Sequence, residues 1–389
     1  MGKFHGSIPA CFTLAIAASC VKQVTPVGPS RLVVEQSGSD QIVRSDNGAI
    51  TRDTTLRFRL ESLPPLQTDR FQLPLASADG MRLAWQQESN FNWPLLTASP
   101  QAPASIRGVV ATRGIDSTEA DRTLEGAFML GRCCGREGPL IECPREDGSR
   151  WIGVMPWDGG DLRWLVQDKA VNAFASFGPR GELAWSRRSP QDPNFSLVVE
   201  RPEGRFELNH RPDESWLLPI VADGGIFAMR LHDGTLELAY LPLRAGRTMS
   251  SDEARPAIVR RGISLRGSDR LAYQCFSSVP PDRAVLSDGS LLFFHPDLGR
   301  MAIWKPADDS ITPLPQGALS AAPCAGNQLL VSFRDRLATL SLPVDPVRGP
   351  VTVVQEPWIA RPPSGDSAGR ILLFLPDTKE CRVSSLQFN

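Results

Sequence analysis

The sequence predicts an all-β chain folded as a single β-propeller of seven four-stranded blades, with six or eight as alternatives. Three observations predict it. One grammar recurs along the chain: an apolar approach, a Gly turn, then an alternating or apolar strand. The central glycines fall at Gly80, Gly148, Gly181, Gly224, Gly289, Gly326 and Gly369, and four of their six intervals run from 33 to 43 residues, about one four-stranded blade. Gly 32 and Pro 34 in 389 residues also point to many turns, and no long amphipathic helix pattern interrupts the strands.

The N-terminus reads as an address. Lys3 gives a short positive start, and an apolar run from Ile8 to Ala18 follows it. The run is too short to span a bilayer, which needs about 20 apolar residues, and it suits a secretory signal. Ala17-Ala18-Ser19-Cys20 resembles a bacterial lipobox, although Leu is missing three residues before the Cys and Pro9 interrupts the run. The resemblance implies acylation of Cys20. Val21 follows it in place of Asp, so the outer membrane of a bacterial cell envelope is the expected location. Residues 1–19 are thus expected as a lipoprotein signal peptide, 20–54 as a lipid-anchored tether rich in Val, Ser, Pro, Gly and Gln, and 55–389 as the propeller.

The repeats then follow in order. Leu75 to Trp85 turns at Asp79-Gly80, and Phe177 to Trp185 turns at Gly181 and is the clearest copy. Ile220 to Ala228 and Val285 to Phe293 turn at Asp223-Gly224 and Asp288-Gly289. Asp-Gly takes positive φ at little cost and matches the twist of paired strands. The Asp147-Gly148 copy is weaker, and those at Gly326 and Gly369 lose the Asp. Second hairpins follow around His232-Asp233-Gly234, Pro296 to Gly299 and Arg334-Asp335, so each unit reads as about four strands. Leu265 to Tyr273 is a candidate extra unit inside one long interval. A ring must join its ends, because open sheet edges invite aggregation. The alternating Thr55 to Leu60 is the expected partner of the C-terminal hairpin ending at Leu386.

The phrase Phe177-Gly-Pro-Arg-Gly-Glu-Leu-Ala-Trp185 resembles the repeat element of WD40-like, TolB-type propellers, and Leu75 to Trp85 is a looser copy. The resemblance covers about 70 residues well and 70–389 loosely. It lacks most Ser-Pro-Asp triplets and leaves no room for an α/β domain before residue 70. It implies a propeller fold and an envelope address, and no more.

The cysteines fit an exported chain. Setting aside Cys11 in the signal and Cys20 leaves Cys133, Cys134, Cys143, Cys275, Cys324 and Cys381, an even set of disulfide candidates. A bridge from Cys133 or Cys134 to Cys143 is expected to staple the Gly-rich stretch between them. Zinc does not suit C-C-x8-C without a nearby His.

Motifs for chemistry mostly fail. Gly365-Asp-Ser367-Ala-Gly369 matches G-x-S-x-G, but Pro362-Pro363 precedes it, a strand follows it, and no His comes after Ser367. His210, His232 and His295 form no H-x-x-x-H pair, so no metal is expected, and no cofactor pattern exists. Asp308-Asp309 reads as a solvated turn. Net charge is −1, from 42 basic and 43 acidic residues, which excludes the electrostatic signature of a nucleic-acid binder. Trp85, Trp185 and Trp304 are expected in the core. Trp157, Asp158, Asp161 and Trp164 form a candidate binding loop, with burial of the rings as the competing reading. The expected function is a non-catalytic binding or assembly scaffold for a protein or envelope polymer. The alternative is a propeller-fold enzyme acting on polysaccharide or peptide. A cleft near the central channel holding two carboxylates, or a carboxylate with His210, His232 or His295, would favour the enzyme.

Overall fold

A computed structural model describes residues 26–27, 30–37, 40–47, 56–67, 74–89, 108–131, 133–202, 204–233, 235–243, 251–260, 284–324, 327–344, 349–356, 358–361, 370–376 and 380–388. Cys20, Cys275, Trp93, Ser367, the signal stretch and the candidate unit at 265–273 lie outside them. Among the described residues the regular elements are β-strands and one short 3-10 turn, Ser251–Glu253. None of these residues forms a helix long and apolar enough to cross a membrane.

The strands form six hydrogen-bonded sheets among the described residues, arranged as a β-propeller. Five follow one another along the chain. The first holds Leu75–Ala76, Arg82–Ser89, Gly108–Gly114 and Arg122–Glu125. The second runs from Leu140–Pro144 to Gly204–Leu208, and the third comprises Glu214–Ala222, Gly225–His232, Thr235–Pro242 and Arg255–Arg260. The fourth spans Leu291–His295 to Ser310–Pro313, and the fifth Ser320–Cys324 to Val351–Val354. The sixth joins the two ends of the chain.

The expectation of seven uniform blades is corrected by these sheets. Only three of the six have four strands. The second sheet contains two antiparallel groups, Leu140–Val166 and Val171–Leu208, and they meet in one parallel pairing, Arg150 with Val171. The Arg150 N–H also donates to the Ala170 carbonyl at 2.9 Å. That junction merges what repeat spacing counts as two units.

Closure agrees with the sequence. Glu380–Phe388 pairs antiparallel with Leu56–Gln67, setting Leu386 opposite Leu60 and Phe388 opposite Phe58. The segment expected as a tether is corrected in part. Asp40–Asn47 pairs with Leu56–Gln67, Ser30–Ser37 pairs with Asp40–Asn47, and Pro26–Val27 with Ser30–Ser37. Pro26–Val27, Ser30–Ser37 and Asp40–Asn47 therefore extend the closing sheet as strands.

The repeated turns form as their residues require. Gly80 and Gly289 have φ of 68° and 79°, and their N–H groups donate to the Ser77 and Leu286 carbonyls at 2.9 Å. The Asp before each glycine accepts the N–H that follows the turn or one residue beyond, as Asp79 does from Met81 and Asp288 from Ser290.

Between blades, buried polar side chains replace missing ladder bonds. Gln86 is fully buried and donates to the Glu88, Val109 and Ala127 carbonyls while accepting the Met129 N–H. Glu142 acts likewise one unit later. Its Oε1 accepts the Phe174 N–H at 2.6 Å, where Phe174 sits at φ 58° within a register shift. Trp85, Trp185 and Trp304 are buried as expected, and Trp304 stacks edge-on against Phe227 at 5.5 Å.

The disulfide expectation is corrected among the described residues, where Cys133, Cys134, Cys143, Cys324 and Cys381 are thiols. The stretch they were to staple holds itself by hydrogen bonds. Cys134 bridges to Pro139, and the Leu140 N–H donates to the Cys133 carbonyl at 2.9 Å. The Cys134 thiol donates to the Ala76 carbonyl at 2.9 Å. Burial pushes the Cys143 thiol up to about 12, so it packs as a small apolar group.

Candidate functional site

One end of the third sheet and its neighbour gathers ionisable side chains. The ladder pairs Glu214, at the start of its strand, with His232 at the end of the next, so both lie at the same edge. Asp192 arrives in the loop after Leu183–Arg188, and His210, Arg211 and Asp213 in the connector after Gly204–Leu208. Both segments are loops because the ladders end there and Pro190, Pro193 and Pro212 cannot donate to a sheet.

His210 is held on both sides. Its Nδ1 lies 2.8 Å from the Arg211 carbonyl and its Nε2 2.8 Å from Asp192 Oδ2. Both partners only accept, so both contacts are hydrogen bonds when the ring carries two protons. Asp192 is fixed in turn, because its Oδ1 accepts the Asn194 N–H at 2.9 Å and Asn194 Nδ2 donates to the Pro212 carbonyl at 2.8 Å.

His232 is more open. Nε2 stands 3.2 Å from Asp213 Oδ2, while Nδ1 is 3.7 Å from Asp233 Oδ2, beyond hydrogen-bond length. Asp233 turns the chain at φ 48° and lies exposed, as does Asp213. Arg211 is paired with Asp252, and Arg230 with Glu237. His295 ends its own strand and packs against the Phe293 ring at 5.8 Å.

A buried charge group lies beneath the Asp192 loop. Arg188 donates to the Asp192 carbonyl at 2.7 Å. Burial lowers its pKa, and the nearby Arg150 charge lowers it further against the pull of Asp192. Arg150 pairs with Glu142 at 3.5 Å. Burial raises the Glu142 carboxyl to about 7 against the opposing pull of Arg150 and of the Phe174 and Ala175 N–H groups. Glu142 is enclosed and bound to backbone, so its role is structural.

The Trp157 loop is differently built from a binding loop. Trp157 is buried, Trp164 is partly buried and stands edge-on to Trp151 at 5.4 Å, and Asp158 and Asp161 are exposed. Asp158 accepts the Gly160 N–H and closes the turn. Asp308 and Asp309 likewise serve their turn, accepting from Ser310 and from Trp304 Nε1.

Sequence reading named His210 and His232 and missed Asp192, Asp213, Asp233 and Glu214. These partners are brought together by strand pairing, and no motif spacing links them. The one local signal is that both histidines sit at strand ends, where a side chain meets loops.

No family model matches the chain, and no curated protein matches it. Solved structures do resemble it. A puromycin-hydrolyzing peptidase of Mycobacterium tuberculosis is 13% identical with a TM-score of 0.43, covering 89% of this chain and 58% of that one. Dipeptidyl peptidase 4 of Porphyromonas gingivalis is 9% identical with a TM-score of 0.46, covering 94% and 57%. TolB of Acinetobacter baumannii is 12% identical with a TM-score of 0.31, covering 55% and 49%. The chain thus spans about half to three-fifths of their lengths. Likeness of this degree bears on fold alone.

The expectation of a non-catalytic scaffold is corrected here. On the chain's own residues, His210 and His232 each stand against a carboxylate at a sheet edge.

Proposed function

We propose that this chain is a propeller-fold enzyme, or the propeller part of one, that hydrolyses peptide bonds at the His232 edge. The observation that supports the reading is the Asp213–His232 contact at 3.2 Å, with the other ring nitrogen 3.7 Å from Asp233 Oδ2. In that arrangement Asp213 orients the ring and stabilises its charged form. The free nitrogen takes a proton from a water whose oxygen bonds to the peptide carbon. It then delivers that proton to the leaving amine as the C–N bond breaks. His210, tied on both nitrogens, positions the Asp192 loop against the connector.

The address belongs to the same proposal. Residues 1–19 direct export and Cys20 takes the lipid, so the substrates are peptides or proteins of the bacterial envelope. Cys20→Ser should move the protein from the membrane to the soluble fraction and abolish fatty-acid labelling. An intact residue 1 in membrane-bound protein would refute the lipid.

Turnover is tested with the full chain on quenched fluorescent peptide libraries between pH 6 and 8. A rate lost at least 100-fold in His232→Gln, with an unchanged melting curve, is the expected result. Equal cleavage by wild type and H232Q, or none by either, would sink the reading.

A further inference from the structure

We infer that Asp213, His232 and Asp233 bind a first-row divalent cation of the zinc class. The inference uses the residues of the proposed active edge: an ion on one His232 nitrogen leaves the ring no lone pair to act as the base, so ion-bound and peptide-cleaving states are alternatives, and binding needs no turnover. One donor atom from each of the three residues lies within 4.8 Å of the other two. Bonds of about 2.0–2.2 Å to nitrogen and oxygen require donors roughly 3.3–3.6 Å apart, so the side chains close by about 1 Å around an ion. Asp213 and Asp233 are exposed on a connector and a turn, where such rotation meets no packing.

A second observation comes from the core side. Glu214 is 1% exposed; its Oε1 accepts Trp216 Nε1 at 2.6 Å, and its Oε2 has no hydrogen-bond partner. Cross-strand partners share a sheet face, and Glu214 is the partner of His232. A buried carboxylate oxygen without a donor is costly. A water bound to a cation at His232 supplies that donor. Asp213 and Asp233 bring two negative groups to His232; Arg211 is paired with Asp252, and its charge also acts on Glu214 and Asp213. The donor set selects among cations: one imidazole with carboxylates suits zinc or its neighbours, whereas calcium and magnesium prefer oxygen alone.

The test uses the full chain, stripped with chelator and titrated with zinc chloride by calorimetry. One ion per chain is expected, at a Kd of about 10 µM or tighter. Binding should weaken at least tenfold in His232→Gln and in Asp233→Asn, and several-fold in Glu214→Gln. Asp308→Asn, in a separate solvated turn, should bind as wild type does. Cobalt chloride should give a visible absorption band that H232Q loses. Zinc binding by a chain that cleaves no peptide even when metal-free upholds the site and fails the enzyme reading; cleavage by the metal-free chain without zinc binding does the reverse. Absence of saturable binding, or binding that survives H232Q and D233N in folded protein, overturns the inference. D233N changes an exposed turn residue, so the test stands even if the other variants misfold.

Discussion

Ring closure gives the sharpest test of the fold. Leu386→Ala perturbs the seam where the last hairpin meets the N-terminal strand. Leu386 is fully buried, in a cluster with Leu330, Leu337, Trp358, Ile371 and Leu373 that spans the fifth sheet and the closing sheet. Truncating a buried Leu costs about 2–5 kcal/mol through lost transfer energy and the cavity left behind. In a chain of this size each kcal/mol shifts the melting temperature by about 2 °C, so a fall of roughly 4–10 °C is expected. Deleting residues 382–389 goes further. It removes Leu386 and Val383, each worth about 1.5–3 kcal/mol of burial, and strips the ladder from both neighbouring strands. The sum approaches the whole stability of an ordinary domain, about 5–15 kcal/mol. The deletion should therefore melt far below wild type or aggregate through its exposed edges. Calorimetry and circular dichroism read both variants, with Leu298→Ala as control because Leu298 is 40% exposed. If L386A melts within 2 °C of wild type and the deletion stays soluble and cooperative, closure by the termini is wrong.

Three further outcomes follow from named residues. Burial holds the Glu142 carboxyl at about 7, above its ordinary 4.5; its contribution to stability is therefore full below pH 4.5 and lost as pH rises through 7. Urea midpoints should fall more between pH 5 and pH 8 in wild type than in Glu142→Gln, and an unchanged difference between the two pH values in E142Q would contradict the shift. Gln86→Ala removes a buried side chain that serves four backbone groups, and should cost roughly 2–4 kcal/mol in chemical denaturation; a loss under 0.5 kcal/mol would show the groups are satisfied otherwise. Cys143 and Cys324, pushed up to about 12 by burial, should react with a thiol reagent at pH 8 only after unfolding. A Cys133–Cys143 or Cys134–Cys143 peptide in unreduced digests would overturn the thiol assignment.

The sequence by itself determined the strand-and-turn character of this chain. Asp79-Gly80 and Asp288-Gly289 spell their turns because one residue's φ decides them, and that preference acts locally. It also determined the closing pair, since an alternating strand near Thr55 and a ring with two ends leave few partners. Trp85, Trp185 and Trp304 were legible as core because a large ring late in a half-buried strand has one dry side. Tertiary structure decided the rest. The sheet count changed at the pairing of Arg150 with Val171, a contact that spacing between glycines does not encode. Pro26–Val27, Ser30–Ser37 and Asp40–Asn47 have a composition that suits a linker, and their pairing with one another and with the edge of Leu56–Gln67 makes them strands. Backbone bonds, such as Leu140 N–H to the Cys133 carbonyl, close the stretch that a disulfide was expected to tie. The histidine–carboxylate edge was invisible for the same physical reason. Asp192 meets His210, and Asp213 meets His232, across separate loops and strands. Antiparallel register sets such meetings, and register is fixed by the whole sheet's packing, whereas a turn is fixed by its own residues.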